Sequence, residues 1–139
     1  MLKYKYKIGG IKMKIKLYQI LDIQTLCLSL REAKLKLKTA YKFTKLLHRL
    51  EEESKFYQEK FSKILSDCGQ KEETGEYKLS SDGRSVLILP EKLDECNARI
   101  EELRNLEVEM DDFKFSLEEL EGVNLTIMEM NCLMPLIEE

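Results

Sequence analysis

The feature that most constrains the fold is a run of apolar residues in the middle of the chain. It recurs at alternating steps of four and three, which places its members on one face of an α-helix for about four heptads. We call this face the seam, and Ser54 is its one polar member. Its positions are Phe43, Leu47, Leu50, Ser54, Tyr57, Phe61, Ile64 and Cys68. We predict a helix over residues 39–68 that ends at Gly69 and needs a partner along its length.

A second helical stripe follows an interval rich in turn residues. Inside that interval, residues 77–79 and 86–89 favour strands, and the Asp82-Gly83 turn between them indicates a β-hairpin. Pro90 suits the start of the next helix. The stripe consists of Leu93, Cys96, Ile100, Leu103 and Leu106. We therefore predict a mainly α fold, a long antiparallel helical hairpin with a small β-hairpin at its tip.

Short elements are expected before the seam helix. Residues 14–18 alternate between polar and apolar side chains, as in a strand, whereas the apolar positions of residues 19–30 have helical spacing. The segment 34–38 alternates again and predicts a break before the long helix.

The end of the chain contains two capping boxes, in which a hydroxyl precedes a glutamate by three residues. Ser116 with Glu119 and Thr126 with Glu129 can each satisfy the free N–H groups of a helix start. They predict short helices near 117–121 and 127–133, packed on the long hairpin.

The first twelve residues are a separate question. Gly9-Gly10 can be encoded by a purine-rich bacterial ribosome-binding sequence at a suitable distance from Met13. We therefore expect residues 1–12 to be a mis-annotated leader or disordered, and residues 13–139 to form a single helical-hairpin domain. The alternative is a genuine strand, because Tyr4, Tyr6 and Ile8 alternate with lysines.

Charge divides the chain into opposite halves. Residues 1–50 carry thirteen basic and two acidic side chains, and residues 51–139 carry ten basic and twenty-four acidic ones. A basic helix lying over an acidic one explains this division. A nucleic-acid interface built from the basic 34–45 segment is the alternative, although the acidic half would repel phosphate.

The chain shows no pattern typical of catalysis or of a bound cofactor. The four cysteines form no CxxC pair and have no neighbouring histidine, so we expect reduced, mostly buried thiols and no zinc. His48 is the one histidine, and no serine or glycine-rich motif accompanies it. The acidic run formed by Glu107, Glu109, Asp111 and Asp112 offers oxygen ligands to a hard cation, but a solvated or basic-facing edge explains it more simply.

The methionines near the C-terminus have two interpretations. Met128, Met130 and Met134 either fill the core or form an adaptable docking surface.

Several segments together resemble a known group of proteins. They are residues 38–47 (KTAYKFTKLL), 50–57 (LEEESKFY), 106–120 (LEVEMDDFKFSLEEL) and 133–139 (LMPLIEE). The chain from Met13 onward resembles an uncharacterised family of small helical proteins encoded by phages and prophages of Gram-positive bacteria. The resemblance implies a phage or prophage origin, and it implies no activity and no site residues.

These observations favour a non-catalytic protein-binding module that is either a virion or assembly factor or a modulator of a host protein. Its partner would be a phage or host protein or a second copy of the chain, and we expect no membrane association. A cytoplasmic location in the bacterial host is expected, with virion association as the alternative. The residues expected to make the interaction are Lys38, Lys42, Lys45, Arg49 and Ser54.

Overall fold

The computed structural model describes residues 13–110 and 113–138, and their fold is mainly helical with a small antiparallel sheet. Predictions for residues 1–12, both the leader and the strand, fall outside the described residues. The elements are β1 (Lys14–Lys16), α1 (Leu17–Ser29), α2 (Leu37–Cys68), α3 (Leu93–Arg104), β2 (Glu107–Glu109) and α4 (Ile127–Leu133). Short 3-10 turns at Pro90–Lys92 and Met134–Leu136 precede α3 and follow α4.

The chain divides into two compact units. The first unit contains the residues up to Ser54 and those from Glu107 onward, and the second is Lys55–Leu106. Helix α2 begins in the first unit and ends in the second. The single hairpin domain expected from sequence stays a prediction.

In the first unit, the apolar face of α1 has the predicted helical spacing. Ile20, Ile23, Leu26 and Cys27 are buried, and α1 packs against α4. The Phe43 ring of α2 stacks on Phe115, with 4.7 Å between the ring centroids. The core is therefore assembled from segments that are distant in sequence.

The sheet of the first unit pairs β1 with β2 and sets opposite charges face to face. Lys14 lies opposite Glu109 and Lys16 opposite Glu107, with Ile15 and Val108 between them. Cross-strand pairs of opposite charge stabilise an antiparallel ladder. The described part of the acidic run thus faces a basic strand, as the simpler interpretation of that run expects.

Seam burial on α2 differs from a strict heptad. Leu46 is completely buried, although the seam assigns that place to its neighbour Leu47, which is half-buried. Leu46 follows Phe43 by three residues and precedes Leu50 by four, so it fits the same stripe. An α-helix has 3.6 residues per turn and drifts from a repeat of 3.5, so the buried face includes residues outside the heptad. Coiled-coil packing stays a prediction.

The second unit contains an irregular β region between α2 and α3. Its backbone hydrogen bonds form a cycle: Gln70 N–H donates to Leu87 C=O, Leu87 N–H to Lys78 C=O, and Lys78 N–H to Gln70 C=O, at 2.7–2.9 Å. The two predicted strands appear as isolated antiparallel bridges, because the segment after Gly69 takes part in the pairing. A side chain at Gly69 would approach the Leu65 carbonyl oxygen to 2.7 Å, so glycine is required at this close contact.

Both capping boxes form, but only one begins a helix. The backbone N–H of Glu129 donates to the Thr126 hydroxyl at 3.1 Å, and α4 follows. Glu119 and Ser116 make the equivalent bonds, yet residues 117–122 are a series of turns, so the helix predicted near 117–121 is wrong. The reason is tertiary: the Thr39 hydroxyl of α2 donates to the Glu119 carbonyl at 2.8 Å, and Gly122, with φ of 88°, ends the segment.

Candidate functional site

An open groove of about 320 Å³ lies in the second unit, between the second half of α2 and α3. The α2 side contributes residues at steps of four, three and one, and the α3 side contributes residues at steps of three, one and three. The α2 residues therefore occupy a single helix face, as do the residues from Arg99 to Leu103, and Leu106 follows the end of α3. The lining residues are Phe56, Lys60, Lys63, Ile64, Arg99, Glu102, Leu103 and Leu106.

The floor of the groove is apolar and its outer end is open. Ile64 and Leu103 form the floor and are almost completely buried. Phe56 and Leu106 lie at the outer end, where they are 40% and 41% exposed. Two large apolar side chains beside an apolar floor form a surface that a partner would remove from water.

The other end of the groove is closed by polar contacts between α2 and α3. The Arg99 guanidinium donates to an Asp67 carboxylate oxygen at 3.1 Å and lies 3.8 Å from Glu95. This hydrogen bond from Arg99 holds the pKa of Asp67 below its usual range. The Cys68 thiol donates to Glu95 at 3.8 Å. Arg99 is thus engaged, and its charge is largely balanced by its two carboxylate neighbours.

The two lips of the groove differ in charge. The α2 lip carries Lys60 and Lys63, both exposed, and the Lys60 ammonium lies 5.6 Å from the centroid of the Phe56 ring. Neither lysine makes an ion pair within residues 13–110 and 113–138. The α3 lip carries Glu102, which is exposed. The groove therefore combines an apolar floor with a basic lip on α2 and an acidic side chain on the α3 lip.

Three of the interaction residues expected from sequence have structural roles in the first unit. Lys42 donates to Glu119 at 2.8 Å, and this hydrogen bond lowers the pKa of Glu119. Arg49 donates to Glu53 at 2.8 Å and to a backbone carbonyl of β2 at 3.1 Å. Ser54 is buried, at 7% exposure. Making these contacts with a partner would require breaking internal ones.

The basic 34–45 segment has acidic neighbours in the same unit. Lys38 and Lys45 are exposed, and the Lys45 ammonium lies 5.6 Å from the Tyr41 ring centroid. Lys38 lines a shallow depression together with acidic side chains, namely Glu118, Glu119 and Glu138. These carboxylates oppose the approach of phosphate, so this geometry favours nucleic acid less than the sequence does.

None of the three methionines near the C-terminus is buried: Met128 and Met134 are exposed, and Met130 is half-buried. Met128 is 80% exposed and its neighbour Ile127 is 90% exposed, whereas Leu133 and Leu136 are buried. Leu133 and Leu136 therefore supply the core here, and the interpretation of the three methionines as core residues is wrong.

The described residues contain no group of three or more His, Cys, Asp and Glu side chains arranged to hold a metal ion. His48 is exposed on α2. Cys27, Cys68 and Cys96 are buried and free, and burial raises the pKa of the Cys27 thiol to about 12, which keeps it protonated. A thiol in this state is a poor nucleophile.

Sequence reasoning placed Ile64 on the seam and Leu103 and Leu106 on the second stripe, but it did not reveal the groove, because the other α2 residues of the lining lie beside the seam. Phe56 directly precedes the seam residue Tyr57, so a large apolar side chain falls outside the predicted buried face. That surplus apolar residue is the signal that would have indicated the groove.

Comparisons with known protein families, with curated proteins and with solved structures find no match for this chain.

No helix in residues 13–110 and 113–138 combines the length and the apolar composition needed to cross a bilayer.

Proposed function

We propose that this chain is a non-catalytic protein-binding module, encoded by a phage or prophage, that docks a phage or host protein in the groove of the second unit. The observation that carries the proposal is the pairing of an apolar floor, Ile64 and Leu103, with two exposed apolar side chains, Phe56 and Leu106. Grooves of this kind receive the apolar face of a partner helix.

The two sides of the groove are interpreted as the arms of an antiparallel helical hairpin. Contacts between Asp67 and Arg99 support this arrangement at one end, and the shared lining by Phe56 and Leu106 supports it at the other. A hairpin held by ion pairs at its closed end provides a preformed site, which reduces the entropy lost on binding.

The sequence resemblance supports a phage or prophage origin as part of this proposal, and it directs the search for the partner to an infected Gram-positive host. A virion or assembly factor and a modulator of a host protein would both use such a groove. The two roles differ in whether the bound protein is encoded by the phage or by the host.

The test compares three purified baits in lysate from infected cells: the wild-type chain, Leu106→Glu in the groove, and Leu79→Glu as a matched control. Leu79 belongs to the same unit, lies outside the groove and is 52% exposed. We expect one protein to be retained by the wild type and by Leu79→Glu and to be lost with Leu106→Glu. The same protein, once purified, should bind the wild-type chain directly. Identical capture by all three baits would refute the groove as the binding site.

The nucleic-acid alternative is separated by a second measurement. Binding through the basic 34–45 segment would weaken steeply with salt and would be abolished by Lys38→Glu combined with Lys45→Glu. We expect no such binding, because three carboxylates share the depression with Lys36 and Lys38 and oppose phosphate.

A further inference from the structure

The occupant of the groove can be specified further, on the basis of the proposed function. We infer that the groove takes a short amphipathic helix of a partner protein, with apolar residues on one face and an acidic flank that lies along Lys60 and Lys63.

The length of the groove sets the size of the occupant. Its α2 side runs from Phe56 to Ile64, which is about 12 Å at a rise of 1.5 Å per residue. Two turns of a partner helix span that distance. Apolar anchors at positions i, i+4 and i+7 of such a helix would lie on Ile64 and Leu103 and between Phe56 and Leu106.

The charge of the lips sets the polarity of the occupant. Lys60 and Lys63 are three residues apart on one helix, so two acidic residues at i and i+3 or i+4 of a partner helix match their spacing. Glu102 on the opposite lip disfavours acidic residues on the second flank. Arg99 is balanced by Asp67 and Glu95, so the available positive charge lies on the α2 lip.

Other occupants fit these features less well. A nucleic-acid backbone has no apolar face for the Ile64 and Leu103 floor, and Glu102 would repel its phosphates. A second copy of this chain could offer exposed Leu93 beside Asp94 and Glu95, and the dimer outcome named below tests that occupant.

The experiment uses the full chain and three fluorescein-labelled helical peptides. The peptides share leucines at i, i+4 and i+7 and differ only at two flanking positions, which are glutamate, glutamine or lysine. Because exposed ion pairs contribute little each and two of them would form, anisotropy titrations at low salt should show the glutamate peptide binding roughly fivefold more tightly than the glutamine peptide, with the lysine peptide weakest. Added salt should reduce this difference.

Charge reversal provides the critical variant. The double substitution Lys60→Glu and Lys63→Glu should reverse the order of the peptides, and Lys60→Gln with Lys63→Gln should remove the preference. The control is Lys55→Glu with Lys78→Glu, which makes the same charge change at exposed residues outside the groove. Circular dichroism establishes that each variant is folded before it is titrated.

Four results would overturn the inference. They are equal affinity for the three peptides, an order that charge reversal leaves unchanged, DNA binding that the Lys60 and Lys63 changes abolish, and a dimer that Leu106→Glu dissociates. Absence of peptide binding at millimolar concentration would also refute a helical occupant. The proposed function would survive that result if lysate capture still depends on Leu106, and it fails if that capture fails.

Discussion

Replacing Leu46 and Leu47 by alanine, one at a time, tests which of two adjacent leucines belongs to the core. Leu46 is completely buried, and Leu47 is half-buried at the edge of a shallow depression. Each substitution removes three methylene-sized groups, and each such group contributes about 0.8 kcal/mol when it is fully buried. The transfer term alone is therefore about 2.4 kcal/mol for Leu46 and about half of that for Leu47.

A cavity term increases the difference between the two variants. The site of Leu46 is enclosed, so the space left by the side chain stays empty, and the total cost reaches about 3–4 kcal/mol. Water can fill the space left at Leu47, so its cost stays near 1 kcal/mol. Urea unfolding followed by far-UV circular dichroism measures both values, and an unchanged m-value would show that the denatured state is the same.

Leu37→Ala is the matched control, because this leucine lies on the same helix and is 87% exposed. Its effect should stay within about 0.5 kcal/mol. If Leu47→Ala is as destabilising as Leu46→Ala, Leu47 belongs to the buried face as the heptad seam assigns it, and the argument from helix drift fails.

Three further outcomes are expected. Lys42→Ala should lower the free energy of unfolding by about 0.2–1 kcal/mol at neutral pH. Because the pKa of Glu119 is lowered in the folded chain, this contribution is present above a pH of about 4.3 and is lost as the pH falls through the folded-state pKa. The stabilities of wild type and variant, measured as a function of pH, should therefore converge in acid. A thiol reagent at mildly alkaline pH should react quickly with half-exposed Cys132 and slowly with buried Cys27; rapid labelling that persists in Cys132→Ser would contradict this burial. Ser54→Leu should change stability modestly and leave the mass measured by light scattering unchanged, and a larger mass would favour self-association through the seam.

Raising the pH should reveal the buried thiol in a second way. The pKa of Cys27 is about 12 in the folded chain and about 8.5 in an unfolded one, so the unfolded state ionises first. Stability from this group is fully present below pH 8.5 and falls as the pH rises toward 12. Cys27→Ala should flatten the alkaline part of the stability profile, and an unchanged profile would assign the loss to other groups.

Local signals in the sequence predicted most of the helical elements. The spacing of apolar residues located α1, α2 and α3, and the Thr126 capping box located the start of α4. The same reasoning failed at Ser116, where an identical capping box opens a turn. A capping box reports only that N–H groups are satisfied, and a helix forms only if the following residues also gain from packing.

The candidate interaction residues show the same limit. Lys42 and Arg49 looked available because sequence does not reveal that Glu119 and the backbone of β2 lie beside them. Conversely, Lys60 and Lys63 lie beside the seam in the sequence, and only the position of α3 places them at the edge of a groove. A sequence shows how many charged groups a segment contains, but only the fold decides which of them are paired.

Sequence alone specifies the period and the approximate ends of each long helix, because those depend on side-chain spacing within a few turns and on caps made by adjacent residues. The tertiary structure alone decided that Leu46 is fully buried and Leu47 half-buried, that Gln70, Lys78 and Leu87 bond in a cycle, and that Phe56 and Leu106 meet at one groove. Each of those outcomes requires segments separated by many residues to come together, and the free energy that selects among such pairings comes from packing and paired charges that no local pattern contains.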